Sequence, residues 1–422
     1  MSAFSTTTAS GGRADSVRAK PRFGPNHRWT VLKVGVAAQA SFSAAFLGIP
    51  VTGTTMRGDY HLSTGTLGMV LGCISLGVAV SEILWGLWTD RFGERRILIT
   101  GLVSTGTVLA LMAVVVVPSG GDAPPIGLLA AGLLLVGALG GSVNGSSGRA
   151  VMAWFQDGQR GFAMSIRQTA IPAGGAVGTA LLPWLAEAHG FRAVYAVLAL
   201  FCYATAVATW RWLHEPEDMP TAPTGAVAGG AVETRSPLRR WVVWRLALAS
   251  GLLTVPQIAV LAFTGIFLHD TKHTGLLAVT TTILVAQIGG AAARVWSGRY
   301  TDRHNNRRSY VKAIGVLAAI AMGTAAALTH APVVLVAAAL AIGGLLANAW
   351  HGVAYTEIAV MAGARRAGTA LGLENTTAFT AAFLTPLVIP AILAGSTWTA
   401  VWAFAAAAPL LAAPLAPGRT AT

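Results

Sequence analysis

The chain has 422 residues, of which 54% are hydrophobic and 11% charged, with a formal net charge of +13. Soluble domains carry about 25% charged residues, so this composition excludes a soluble fold. The basic excess does not mark a nucleic-acid binder either, because the arginines cluster in alternate segments between apolar runs. Cys73 and Cys202 both lie inside apolar runs, which argues against a disulfide or a metal framework.

Residues 1–30 form a polar stretch carrying Arg13, Arg18, Lys20, Arg22 and Arg28. It lacks the short apolar core and cleavage site of a signal peptide, and reads as a cytoplasmic N-terminal tail. A first half, residues 31–213, holds six apolar spans, at 31–53, 63–88, 97–117, 126–153, 162–185 and 191–213. Residues 214–240 are rich in Pro, Gly and Thr and read as a cytoplasmic linker. A second half, residues 241–415, holds six more spans, at 241–268, 275–300, 310–329, 332–355, 368–393 and 397–415, followed by a short tail at 416–422. Each span is long enough to cross a hydrocarbon core about 30 Å thick. Inside loops would hold Arg91, Arg95, Arg96, Arg160, Arg211, Arg235, Arg239, Arg240, Arg303, Arg307, Arg308, Lys312, Arg365 and Arg366, whereas outside loops would hold only Arg57, Arg192 and Lys272. With both termini inside, the positive-inside bias is consistent at every loop and requires an even number of spans.

The halves are related. Gly86-Leu87-Trp88-Thr89-Asp90-Arg91-Phe92-Gly93-Glu94-Arg95-Arg96 follows the second span and reads as a tight turn. It returns after the eighth span, offset by 212 residues, as Gly298-Arg299-Tyr300-Thr301-Asp302-Arg303-His304-Asn305-Asn306-Arg307-Arg308. Ser165-Ile166-Arg167-Gln168-Thr169 aligns with Gly372-Leu373-Glu374-Asn375-Thr376 at an offset of 207, and Pro183 aligns with Pro390 at the same offset. Such internal repetition marks a duplicated membrane protein. Gly86 permits either a close helix approach or a helix end that a side chain would block. Asp90 can pair with Arg91 or Arg95, or face the positive N-terminus of another helix. Asn305 stands where the first copy has Gly93, so the second turn is expected to be looser.

Six charges fall inside spans, where they are costly and are functional candidates by default: Glu82, Arg149, Arg167, Arg294, Glu357 and Glu374. Glu82 corresponds to Arg294, Arg167 to Glu374, and Arg149 to within one residue of Glu357, so each pair is inverted in sign. Three readings stay open. Arg149 and Arg167 meet Glu357 and Glu374 as an inter-half latch, with Glu82 and Arg294 as a secondary cross-pair. Alternatively, each charge is neutralised within its own half, or the side chains snorkel to the interface. Glu374 and Glu82 are also the candidates for carrying a proton.

The paired GxxxDRxxxRR turns resemble the signature of the major facilitator superfamily, and the resemblance covers nearly the whole chain. It implies an all-α membrane protein with twelve transmembrane helices in two pseudo-symmetric six-helix halves, working by alternating access. The signature and gating residues it implies are Gly86, Asp90, Arg91, Gly93, Arg95 and Arg96 in the first copy, and Gly298, Asp302, Arg303, Arg307 and Arg308 in the second. Asp90 is implied to face the N-terminus of the eleventh span near Gly368. The cavity is implied to involve spans one, four, seven and ten, whose polar members are Gln39, Ser41, Ser43, Asn144, Gln257, Asn348 and His351; Gln168 and Gln287 lie at similar depth.

The resemblance has limits. Residues 128–137 lack the arginine of many drug–proton antiporters, and Pro172-Ala173-Gly174-Gly175 is one residue short of their pattern in the fifth span. Apart from Arg167, no arginine is placed clearly at mid-depth, which favours a neutral, zwitterionic or amphipathic organic substrate. There is no phosphate-binding GxxxxGK[ST] and no HExxH, so no ATP-driven pump, enzyme, metal or cofactor is expected. The expected function is proton-coupled export, by antiport, of a drug-like compound or metabolite across the cytoplasmic membrane. Proton-coupled or facilitated uptake is the alternative, and a non-transporting membrane sensor the minor one. The expected partners are a small-molecule substrate, membrane lipids and protons, with no nucleic acid, and the chain is expected to work as a monomer.

Overall fold

The computed structural model describes residues 23–24, 26–119, 122–216 and 236–417; most of the expected N-terminal tail, the middle of the linker and residues 418–422 lie outside the described residues. Eleven described helices are long and apolar enough to cross a membrane. One of them, Arg160–Trp212, has 53 residues and is broken at Gly190, where φ is 71° and ψ 179°. That backbone conformation is open to glycine and strained for other residues, so the helix is two successive spans, 160–189 and 191–212. The first to fourth spans are His27–Val51, Thr64–Phe92, Glu94–Val115 and Ile126–Trp154. After the fifth and sixth come Trp241–Thr271, Leu277–His304, Arg307–Ala327, Val333–Ala362, Ala364–Gly395 and Trp398–Leu415 as the seventh to twelfth.

The signature turns are shorter than expected. Helix continues through Gly86 and Asp90 to Phe92, and Gly93 alone, at φ 86°, separates the second span from the third. Glu94 is therefore the first residue of the third span and is fully buried. In the second copy the turn takes two residues, Asn305 in the left-handed region and Asn306. The eighth span runs several residues beyond its apolar stretch, to His304, and the tenth continues through Thr356 and Glu357 into further apolar residues ending at Ala362. A helix satisfies its own backbone whether it lies in lipid or beyond it, so charged side chains do not end it.

Four packed cores form among the described residues; one, around Phe42, Leu98 and Val143, lies within the first half, and the other three position the site. One belongs to the first half alone and includes Ile49, Val70, Leu109, Leu133, Phe191 and Leu198. One belongs to the second half alone and includes Val260, Phe263, Met322, Leu340 and Trp402. The third crosses between halves, joining Leu32, Met152, Phe155 and Met164 to Leu246, Trp350, Val353 and Leu371. These shared residues lie toward the helix ends that carry the signature turns. The halves are thus fused at the signature face and have separate cores toward the opposite face. Outward-pointing Val80, Val114, Leu277 and Val334 are strongly exposed, as lipid-facing side chains of a spanning helix are.

Within the first half, small residues let helices approach closely, as is usual in membranes. Gly77 of the second span lies against the Leu134 carbonyl, and Gly137 of the fourth against the Ile74 carbonyl, so that a Cβ at either would collide with backbone. Gly137→Val is expected to destabilise the protein by about 1–3 kcal/mol, read as a lower unfolding temperature of the detergent-purified chain. Gly127→Val, at a position with nothing near a Cβ, is expected to leave it unchanged.

Candidate functional site

At the signature face each Asp of the repeat holds a helix of the other half. Asp90 accepts from the backbone N–H of Gly368 at 2.8 Å, and from the N–H and hydroxyl of Thr369 at 2.7 and 2.6 Å. Asp302 accepts from the N–H of Gly161 at 3.0 Å and of Phe162 at 2.8 Å. The first N–H groups of a helix have no intrahelical partner and carry partial positive charge, so both carboxylates sit where an anion is favoured. The backbones approach closely because Gly86 faces Gly368 and Gly298 faces Gly161; a Cβ on any of the four would overlap backbone atoms of the opposite helix. Of the two roles expected for Gly86, close approach is the one realised. Gly161 and Gly368 are themselves related by the 207-residue offset.

About 12 Å deeper along the same helices, eight residues at 1.5 Å each, lies a second cross-half layer. Glu82 is fully buried and accepts from the side-chain amides of Asn144, in its own half, and Asn375, in the other, the latter at 3.2 Å. Arg294 is 2% exposed. It donates to the Asn348 side-chain oxygen at 2.5 Å and backbone oxygen at 2.9 Å, and across the halves to the Gln168 carbonyl at 3.0 Å. Asn375 and Gln168 are related by the 207-residue offset. The sign-inverted pair therefore does cross the halves, but each member bonds to amide groups and the two do not bond to each other.

The other four buried charges are engaged inside their own halves, which corrects the expectation that they meet on this closed face. Arg149 pairs with Asp90 at 3.4 Å and with Glu94. Arg167 donates to Gln39 at 2.6 Å, the Asn144 carbonyl at 2.6 Å, Ser147 at 2.9 Å and Gln168 at 3.1 Å. Glu357 pairs with Arg308 at 2.6 Å. Glu374 accepts from Ser250 at 2.7 Å, and its second oxygen has no hydrogen-bond partner among the described residues. Glu94 is one of the site residues that sequence reasoning missed, with Tyr355 and Asn375. Glu94 stood within the repeat, and only its place as the first helical residue turns it inward toward Arg149.

Of the remaining signature arginines only Arg307 reaches a clamp carboxylate. Arg91 lies over the Phe92 ring at 5.3 Å, and Arg95 bonds the Trp210 carbonyl. Arg96 and Arg303 are exposed, and Arg307 pairs with Asp302 at 3.0 Å.

Above these sealed layers, at mid-height between the halves, lies a cavity of about 90 Å³. Gln257, Asn348 and His351 line it, with Gln287, Thr254, Tyr355 and Arg294. Gln39, Asn144 and Gln168 belong instead to the network around Arg167 and Glu82. Ser41 bonds Thr205 at 3.1 Å and ties the first span to the sixth. Tyr355 links cavity and network by donating to Asn375 at 2.5 Å. Arg294 at the cavity wall departs from the expectation that no arginine besides Arg167 reaches mid-depth.

Each helix-end clamp is worth about 1.5–3 kcal/mol to the closed signature face, the usual range for hydrogen bonds to a charged group. Asp90→Asn and Asp302→Asn are each expected to lengthen the distance between spin labels at positions 96 and 364, and the double variant more than either. Arg303→Gln is expected to leave it unchanged. Unaltered distances in both Asp variants would remove the clamps from the gating machinery.

An MFS-type transporter of Mycobacterium tuberculosis is 29% identical over 400 residues, covering 94% of this chain and 86% of its own. The membrane sensor protein UhpC of Salmonella typhimurium is 23% identical over 72% of this chain and 71% of its own. Among solved structures, the proton:xylose symporter XylE superposes with a TM-score of 0.73 at 14% identity, over 93% of this chain and 95% of that one, which bears on the fold alone. The model of the Major Facilitator Superfamily matches residues 34–386, and the chain belongs to that family of multi-pass membrane transporters.

Proposed function

We propose that this secondary transporter exports a small amphipathic organic molecule across the cytoplasmic membrane in exchange for protons, with the signature face and both termini on the inside. The observation that carries the reading is the distribution of cross-half contacts. Clamps, buried polar layer and shared core all gather at the signature face, and the cavity lies directly above them. Alternating access requires contacts present in one state and absent in the other, and cross-half contacts confined to one face support the first part of that requirement. The arginine-rich loops on the same face support its inside orientation. The mainly apolar cavity wall, with Phe46, Ile171, Leu261 and Phe379, favours a substrate with a hydrocarbon or aromatic body.

For proton coupling the geometry favours Glu374 over Glu82. Both oxygens of Glu82 accept hydrogen bonds from amide N–H groups. Glu374 is equally buried but holds one partner, a hydroxyl, and one unpartnered oxygen. A proton gained or lost there changes the charge of a buried seam beside the cavity wall, since its neighbour Asn375 bonds Tyr355. The likeness to a membrane sensor favours a second reading, in which ligand binding moves the halves and signals without net transport; uptake coupled to protons is a third.

The test uses liposomes containing a pH-sensitive dye, with compounds first selected because they are less toxic to an expressing strain. Compound-driven proton flux is expected in wild type, reduced to the protein-free level in Glu374→Gln, and retained in Glu82→Gln. Compound movement without protons, equal in all three proteins, would overturn the coupling. Binding with no movement of any compound would favour the sensor.

A further inference from the structure

Buried charges in a membrane protein persist where they are paired or functional. Most buried or partly buried arginines near the seam have a carboxylate at hand. Arg149 has Asp90 and Glu94, Arg307 has Asp302, and Arg308 has Glu357. Arg167 reaches Glu82 through a single residue, bonding the Asn144 backbone while the Asn144 amide bonds Glu82. Arg294 differs. Its three hydrogen-bond acceptors, the Asn348 side chain, the Asn348 carbonyl and the Gln168 carbonyl, are all neutral, and no carboxylate among the described residues forms an ion pair with it. Glu374, which stands at the repeat position of Arg167, bonds Ser250 and forms no ion pair with Arg294.

A guanidinium carries five N–H donors. Three are used in these bonds, and the side chain lines the cavity. His351, Tyr355 and Asn348 flank it on the same wall. Gln257, also in the wall, has a buried side-chain oxygen without a partner among the described residues. The cavity therefore has one cationic, hydrogen-bonding end, and apolar surface from Phe46, Leu47 and Phe379 elsewhere.

We propose that the cavity binds an amphipathic organic monoanion, and that the free N–H groups of Arg294 hold its carboxylate while its apolar body packs against the phenylalanines. The anion supplies the charge that the protein does not, and Gln257 receives a polar substituent on the body. The proposal rests on the transport reading above, in which the substrate occupies this cavity.

The experiment compares three series with common skeletons: the monocarboxylates phenylacetate, phenylpropionate and cyclohexanecarboxylate, their primary amides, and the corresponding primary amines. Saturable thermal stabilisation is measured on the full purified chain, as wild type, Arg294→Lys and Arg294→Gln. Wild type is expected to bind the acids and to discriminate against amides and amines. Arg294→Gln is expected to bind acids about 10- to 100-fold more weakly, the equivalent of one charged hydrogen-bonding group, with Arg294→Lys intermediate. If Arg294→Gln does not fold, the three series on wild type and Arg294→Lys decide the matter. Amides or amines that bind as tightly as acids, acids that bind Arg294→Gln as tightly as wild type, or no acid binding to wild type would each overturn the proposal. Counterflow in liposomes separates the two readings. An acid that binds without being moved supports the anion site and removes export, whereas an amine or amide that is moved supports transport and overturns the anion site.

Discussion

Two carboxylates that accept the free N–H groups of helices in the opposite half are what the closed face depends on. The start of a spanning helix presents donors that its own turns cannot satisfy. In water these would be solvated; at a closed seam they need a fixed acceptor. Asp90 supplies it to the eleventh span and Asp302 to the fifth. Because the two Asp residues are repeat-related and so are the helices that donate to them, one invention, duplicated, closes both seams. The glycines on both sides of each contact bring the backbones near enough for it to form. The shared core and the floor of the cavity follow from that approach.

The deeper layer uses amides where direct ion pairs would also balance the charge. An ion pair across the seam would desolvate both charges when closed and separate them when open, and breaking such a pair inside a membrane is costly. An amide bridge behaves differently. In the opening that the transport proposal requires, Glu82 would keep Asn144 and Arg294 would keep Asn348, and the bonds to lose are those to Asn375 and the Gln168 carbonyl. Each such bond is worth about 1.5–3 kcal/mol at most. Shifting a population from one state to the other takes about 5.5 kcal/mol of differential affinity, so a handful of these contacts matches what a bound ligand can overcome.

The number, order and pairing of the spans were legible because hydropathy and the repeat are properties of the chain itself. Their ends were less so: the tenth span continues past 355 to Ala362 because Thr356 and Glu357 interrupt an apolar run that resumes at Ile358 without ending the helix. The clamp at Asp90 was legible through the family resemblance, and its twin at Asp302 lay in the 207-residue offset that relates Gly161 to Gly368. The partners of the six charges were not legible. Each residue along a helix turns the side chain by about 100°, and spans that are apolar on every face leave little pattern to set that rotation. The sign inversion of Glu82 and Arg294 fits an ion pair and an amide bridge equally well. Glu94 was hidden by the reading of its turn as several residues long, when Gly93 alone makes it.

Duplication preserved the seal but divided the rest of the work. In the first half, Arg167 draws Gln39, Gln168, Ser147 and Asn144 into one buried cluster, and none of these lines the cavity. In the second half the equivalent residue is Glu374, which accepts one bond, from Ser250, and recruits no such cluster. Gln257, Gln287, His351 and Arg294 are thereby left at the cavity wall, to which the first half contributes mainly Phe46, Leu47, Ile171 and Pro172. A single sign change between repeats, Arg167 against Glu374, thus separates a half that holds its polar groups inward from a half that presents them. The polar groups of the wall then come from the second half, while both halves supply apolar surface, a division that two identical halves would not produce.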